Sequence, residues 1–239
     1  IIVGLPDSAV RESRERVRAA IKNSRLQFPS KLYVVNLSPA NIPKHGPAYD
    51  LAIAVAALAV TDQVPLPVLE KAMFVGELSL DGRVCHIKGT MVMAYAAKQA
   101  GFHTIYVPAE DAPEAALVEG IDVIPVETLA QLAEHVYGLN PIAPYVAEKI
   151  ALDDIPLPDD IVDFADVKGQ EHVKRALVIA ASGNHNMRMV GPPGVGKSLL
   201  ARAMPGILPQ MTMEEALEVT RIYSVADMLR GNTPLLRYR

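Results

Sequence analysis

Between positions 191 and 198 the chain reads Gly-Pro-Pro-Gly-Val-Gly-Lys-Ser, a GxxxxGK[ST] pattern whose residue types suit the holding of a phosphate. Gly191, Gly194 and Gly196 permit turn conformations closed to residues with a Cβ, so that successive N–H groups can point at one anion. Pro192, Pro193 and Val195 fill the variable positions. Lys197 is expected to reach the β- and γ-phosphates of a nucleotide as a point charge, and the Ser198 hydroxyl to complete the shell of a Mg²⁺ ion that keeps most of its waters. A helix starting near Gly196, with Leu199 in its first turn, adds a positive dipole end and unpaired N–H groups.

Such a loop must be held between a strand and a helix. The apolar-leaning run 185–190 predicts the strand and 199–204 the helix. A helix over 170–182 precedes them, a turn follows at 204–209, and a further helix is expected over 213–223.

At 239 residues, half of them hydrophobic, the chain is long enough for two globular domains. Its net charge of −4 is uneven: positions 1–50 hold 8 Lys/Arg against 4 Asp/Glu, and 101–163 hold 1 against 13. A single cysteine, Cys85, excludes an internal disulfide and a cysteine-based metal site, which fits a reducing compartment. The apolar run 51–60 is too short to cross a bilayer and no signal segment opens the chain, so a cytoplasmic location is expected. Because it begins at Ile1 and stops at Arg239 in mid-pattern, the chain reads as part of a longer polypeptide.

Taken in order, 1–4 reads as the end of a strand and Asp7 as the cap of an amphipathic helix over 8–23, with Val10, Val17, Ala20 and Ile21 at helical spacing. Arg14, Arg18, Lys22 and Arg25 form either a phosphate-contacting stripe or a solvated helix face. A strand is expected over 31–37, then a proline-dense loop over 38–47, then a buried helix over 51–60 capped by Asp50. Segments 72–80 and 83–87 flank Asp81-Gly82 as a hairpin. A helix over 90–99 ends at Gly101, and the strand 103–107, helix 112–119, strand 122–125 and helix 126–137 follow. Four prolines with little periodicity over 138–158 mark a linker. The expected domains are 1–138 and 163–239, joined by 139–162. His45 and His86 lack the ligand spacing of a structural zinc site, and Met91, Met93, Met187 and Met189 read as core filler.

Gly169-Gln170-Glu171, Ala176-Leu177 and Gly183-Asn184-His185-Asn186 stand ahead of the phosphate loop, and Leu200-Ala201-Arg202 and Pro205-Gly206-Ile207-Leu208-Pro209 behind it. By these stretches residues 163–209 resemble the magnesium-chelatase-like AAA+ ATPases, and within them the YifB/ComM group. Asn36-Leu37-Ser38-Pro39-Ala40, Gly46-Pro47-Ala48-Tyr49-Asp50-Leu51 and Gly76-Glu77-Leu78-Ser79-Leu80-Asp81-Gly82 resemble that group's first domain. The resemblance implies an α/β chain: an α+β domain with the fold of the Lon protease catalytic domain, related to ribosomal protein S5 domain 2, followed by the first part of a P-loop AAA+ domain. It further implies ATP and Mg²⁺ as cofactors, a hexameric ring of identical subunits, and ATP-driven migration of branched DNA in natural transformation. Val167, Lys168, Gly169 and Gln170 would lie near the adenine. The chain departs from the family at Tyr223 and Asp227, where members usually carry histidine and then glycine.

The Lon likeness raises a Ser-Lys protease, and the residues argue against it. Where Lon carries its nucleophile this chain has Gly46-Pro47-Ala48-Tyr49-Asp50, and Met91 stands where the activating lysine would be, so both members of the dyad are missing. ATP hydrolysis needs an acidic pair after an apolar strand and an arginine. None of the 41 residues after Ser198 forms such a strand ending in Asp-Glu, and Asp227 is a lone acid. The chain is therefore expected to bind nucleotide without turning it over, the acidic pair lying beyond Arg239 and the arginine coming from a ring neighbour. Two other readings stay open: a chelatase motor subunit driving Mg²⁺ into a tetrapyrrole, and an interaction module whose assembly nucleotide controls.

Overall fold

The helical spacing of Val10, Val17, Ala20 and Ile21 becomes the buried stripe of α1 (Ser8–Asn23) in the computed structural model, which describes residues 1–30, 33–147, 162–229 and 235–237. Asp7 caps it as expected: the carboxylate accepts the Val10 N–H at 2.8 Å, satisfying one donor that the helix start leaves unpaired. Ahead of it, β1 (Ile2–Val3) pairs in parallel with β2 (Val35–Asn36), Ile2 opposite Val35. The strand expected over 31–37 is thus two residues long in this ladder, and its positions 31 and 32 lie outside the described residues.

The apolar run becomes α2 (Asp50–Ala59), buried on most sides. Asp50 does not cap it. Its side chain is fully buried and turns to α1, where Ser13 Oγ donates to it and Arg16 Nε donates at 2.6 Å, while the Leu78 N–H donates at 3.3 Å. A buried carboxylate takes the partners that neutralise it, and here α1 supplies them. A short helix not foreseen, α3 (Leu66–Lys71), follows Pro65 and carries Pro67 in its first turn, where a missing N–H costs nothing.

The hairpin reading is half right. Glu77–Leu78 (β4) and Val84–Cys85 (β5) pair antiparallel around Asp81-Gly82, with Gly82 at φ 91°. Ala72–Phe74, expected in the same strand, forms a separate strand β3 in another sheet. There it pairs in parallel with β6 (Thr104–Pro108), which pairs in parallel with β7 (Asp122–Val126), in the order β3-β6-β7. Phe74 and Tyr106 stack across the first pair at 4.6 Å between ring centroids, and Leu51, Leu58 and Leu132 fill the core with them. α4 (Thr90–Gln99) ends before the left-handed Gly101 as expected. The helix expected over 112–119 is a single turn, α5 (Ala112–Ala115), after a 3-10 turn at Ala109–Asp111. α6 (Leu129–Val136) begins after Thr128, whose side chain accepts the Gln131 N–H, because Val126 is still in β7.

The chain divides into two units, Ile1–Glu148 with Arg221–Pro234, and Lys149–Thr220 with Leu235–Arg239. Of the expected linker, 148–161 lies outside the described residues. In the second unit a 3-10 turn at Phe164–Asp166 leads to α7 (Glu171–Gly183), α8 (Lys197–Ala203), a 3-10 turn at Met204–Ile207 and the start of α9 (Met213–Val225), whose residues from Arg221 on are counted with the first unit. Residues 185–190, expected as a strand, are in no ladder. A strand exists through its neighbours' hydrogen bonds, and none of the described strands pairs with this run.

Candidate functional site

The loop 191–198 begins without crowding and ends in two left-handed glycines. Gly194 and Gly196 hold φ at 82° and 85°, and a Cβ built on either meets nothing within 4 Å. Backbone conformation, not lack of space, is what calls for glycine there. At Gly191 a Cβ would only touch the Val195 side chain, at 3.5 Å. Lys197 opens α8 directly after Gly196, and its ammonium turns back across the loop to donate to the Gly191 carbonyl at 2.9 Å and the Pro192 carbonyl at 2.6 Å. The positive charge therefore stands over the same backbone that would cradle a phosphate, held by two acceptors that an anion can replace. Ser198 follows it exposed on α8, as does Leu199, and Pro192, Pro193 and Val195 are also exposed.

The segment expected near a base is anchored to this helix. Val167 is buried with Leu177 of α7 and with Leu200 and Ala203 of α8, so its side chain belongs to the small core of this unit rather than to an open face. Lys168, Gly169 and Gln170 remain exposed, and Gly169 and Gln170 are consecutive left-handed residues at φ 66° and 58°, Gln170 starting α7. Residues 168–170, expected near a base, and Gly191–Ser198, expected at the phosphates and a metal ion, thus belong to one unit. An open, glycine-lined turn with an ammonium at its mouth and a hydroxyl beside it fits a nucleoside triphosphate with Mg²⁺.

The lone acid Asp227 is already engaged. In the first unit, Lys88 Nζ donates to its carboxylate at 3.1 Å and His86 Nε2 lies 3.2 Å from it, and these partners, Lys88 first, lower its pKa. It is therefore no substitute for the missing pair. The other ring nitrogen of His86 meets the buried carboxylate of Asp111, which also accepts from the Ile87 N–H at 3.0 Å and Thr90 Oγ1 at 3.2 Å. Burial works against charge on this imidazole, but Asp111 and Asp227 outweigh it and raise its pKa above the ordinary 6.5. A raised histidine stabilises the fold at low pH and loses that contribution as pH rises through the folded value. Accordingly, an NMR titration is expected to place His86 above 6.5, Asp227→Asn to bring it down, and His86→Gln to flatten the decline of the unfolding midpoint above neutral pH. A His86 value at or below 6.5 would contradict the geometry.

Neither histidine forms part of a metal cluster: among the described residues no group of three His, Cys, Asp or Glu side chains could hold an ion. His45 instead lies 3.3 Å from Asp7. At the place of the Lon nucleophile, Ala48 precedes α2, and Met91 is core, its N–H donating to Glu114 at 2.7 Å. Sequence reading missed the Ser13-Arg16-Asp50 network, although an aspartate opening so apolar a helix was a usable signal for a buried ion pair.

Comparison with known proteins matches residues 1–111 to the family described as subunit ChlI of Mg-chelatase, and residues 163–239 to that described as magnesium chelatase, subunit ChlI. The uncharacterised protein YifB of Salmonella typhimurium is 40% identical over 226 residues, covering 95% of this chain and 44% of its own length. The competence protein ComM of Haemophilus influenzae is 37% identical over 228 residues, with the same coverage of 95% and 44%. A shorter likeness, 35% over 81 residues, or 34% of this chain and 12% of the other, links it to the archaeal Lon protease of Methanothermobacter thermautotrophicus. The mixed α/β architecture with parallel sheets agrees with both likenesses. The chain spans less than half the length of the YifB and ComM proteins it matches. Among the described residues no helix is long and apolar enough to cross a membrane.

Proposed function

Because the chain belongs to the YifB/ComM family of magnesium-chelatase-like AAA+ proteins, we propose that it is the nucleotide-binding portion of an ATP-driven motor acting on DNA. The observation that carries this reading is the loop at 191–198, with two left-handed glycines and the Lys197 ammonium folded over its backbone. In this reading 163–239 is the ATPase part and 1–138 an assembly or binding domain, joined through 139–162. Lys197 would hold the β- and γ-phosphates, Ser198 would hold Mg²⁺, whose charge would offset that of the phosphates, and Gly169 and Gln170 would face the base. Val167, buried in the core of this unit, would support that segment from the core side. Asp227, committed to Lys88 and His86, is not one of the acidic pair that hydrolysis needs, and the arginine comes from a neighbouring copy in a hexameric ring.

The DNA substrate rests on two supports: a relative matching 95% of the chain is named a competence protein, and α1 carries the exposed basic row Arg14, Arg18 and Lys22. ATP turnover by the full-length protein, measured with and without a branched DNA, tests it. Stimulation by the DNA is the expected result. Turnover indifferent to DNA would remove the DNA motor and leave the chelatase-type motor or the nucleotide-controlled assembly protein.

A further inference from the structure

α1 presents Arg14, Arg18 and Lys22 four residues apart, so their Cα atoms rise along the helix in steps of about 6 Å. The three line a cleft of about 510 Å³ together with the half-buried rings of Phe28 and Tyr33, the buried Val17 and apolar side chains such as Ile2 and Ile53. The rings meet edge to face at 5.6 Å, and the Arg18 guanidinium lies over Phe28 at 6.0 Å. Among the described residues no carboxylate lines the cleft. Arg14 has one weak ion pair, to Glu15 at 3.6 Å, and among the described residues Arg18 and Lys22 have none. Arg16, on the same helix, is in contrast bound to Asp50 and faces away from this role.

We propose that this cleft binds single-stranded nucleic acid, with the three cations following successive phosphates and a base lodged against Tyr33 and Phe28. The inference deepens the DNA reading above and rests on it. Charge alone would suit any polyanion, but aromatic surface in an open cleft of this size serves a ligand with flat apolar groups between its charges. A duplex keeps its bases stacked on each other and offers none to the rings. An acidic peptide would use the cations and leave the rings idle.

The test is the fluorescence anisotropy of a labelled oligothymidine on the full-length protein, without nucleotide, over a range of salt. Reversing the row with Arg14→Glu, Arg18→Glu and Lys22→Glu should cut affinity at least ~30-fold and lower the slope of log affinity against log salt by about 2. Tyr33→Ala should weaken binding by about 10-fold with the salt slope unchanged, and Tyr33→Phe should restore it. All these positions except Tyr33 and Phe28 are exposed, so folding of the charge variant is checked by its unfolding midpoint. Oligothymidine binding that survives the charge reversal with its salt slope intact would overturn the cleft while leaving the DNA motor standing. So would binding of a duplex as tight as that of the single strand together with indifference to Tyr33→Ala. Failure of the unaltered protein to bind single-stranded, duplex or branched DNA would sink both readings at once.

Discussion

Replacing Lys197 by alanine will weaken ATP binding roughly 10- to 150-fold and cut turnover by the full-length protein still further. The ammonium makes charge-assisted hydrogen bonds, each contributing about 1.5–3 kcal/mol, and about 1.4 kcal/mol is a decade in affinity. Those donors meet the Gly191 and Pro192 carbonyls at 2.9 and 2.6 Å. Without the ammonium, two carbonyl oxygens are left facing an anion, so the loss is more than one missing attraction. Turnover falls further than binding, by about 10²–10³, because the same charge opposes the negative charge that develops on the transferred group. Lys197→Arg will not rescue it, since a planar fork cannot take the place of a compact ammonium in a turn this tight. The unfolding midpoint will barely move, because the two contacts are surface hydrogen bonds worth within about 0.5 kcal/mol. A labelled-nucleotide titration reads the affinity. An alanine variant with undiminished affinity would show that the loop is not the binding site.

The second large effect is on stability. Asp50→Ala will cost about 3–5 kcal/mol, because it strands the Arg16 guanidinium, only 19% exposed, and the Leu78 N–H in the interior. At about 2–4 °C per kcal/mol for a chain of this size, the unfolding midpoint drops by roughly 6–20 °C. Arg16→Ala should be comparably damaging, since it leaves a carboxylate with no exposure at all without its counter-charge. The two losses overlap: once the carboxylate is gone, removing the arginine relieves a buried charge. A double-mutant cycle should therefore show coupling of about 1–3 kcal/mol. Strict additivity, or an Asp50→Ala variant as stable as the parent, would mean that water reaches this network and that it does not join α1 to α2.

The local rules account for what could be read in advance. α1 and α4 begin and end where the sequence predicts, because a capping side chain, an apolar stripe and a left-handed glycine all act within about four residues of each other. The phosphate loop was legible for the same reason, its chemistry being confined to eight consecutive positions. Where a neighbour far along the chain decides, the reading failed. Residues 72–74 look like the continuation of a hairpin strand until β6, thirty-odd positions on, takes them as its parallel partner. Asp50 looks like a helix cap until Ser13 and Arg16, 37 and 34 residues away, take its carboxylate.

The sequence by itself determined the family, the GxxxxGK[ST] pattern and most of the helices. Each of these rests on residue types at short spacing, which no packing arrangement can alter. Only the tertiary structure decided where Asp227 points, 141 residues from His86, that Val167 faces the core, and that Arg14, Arg18 and Lys22 share a cleft with Phe28 and Tyr33. Such pairings follow from which surfaces bury one another once the helices and strands exist. That outcome depends on the whole set of apolar faces competing for a common core, and no window of neighbouring residues contains it.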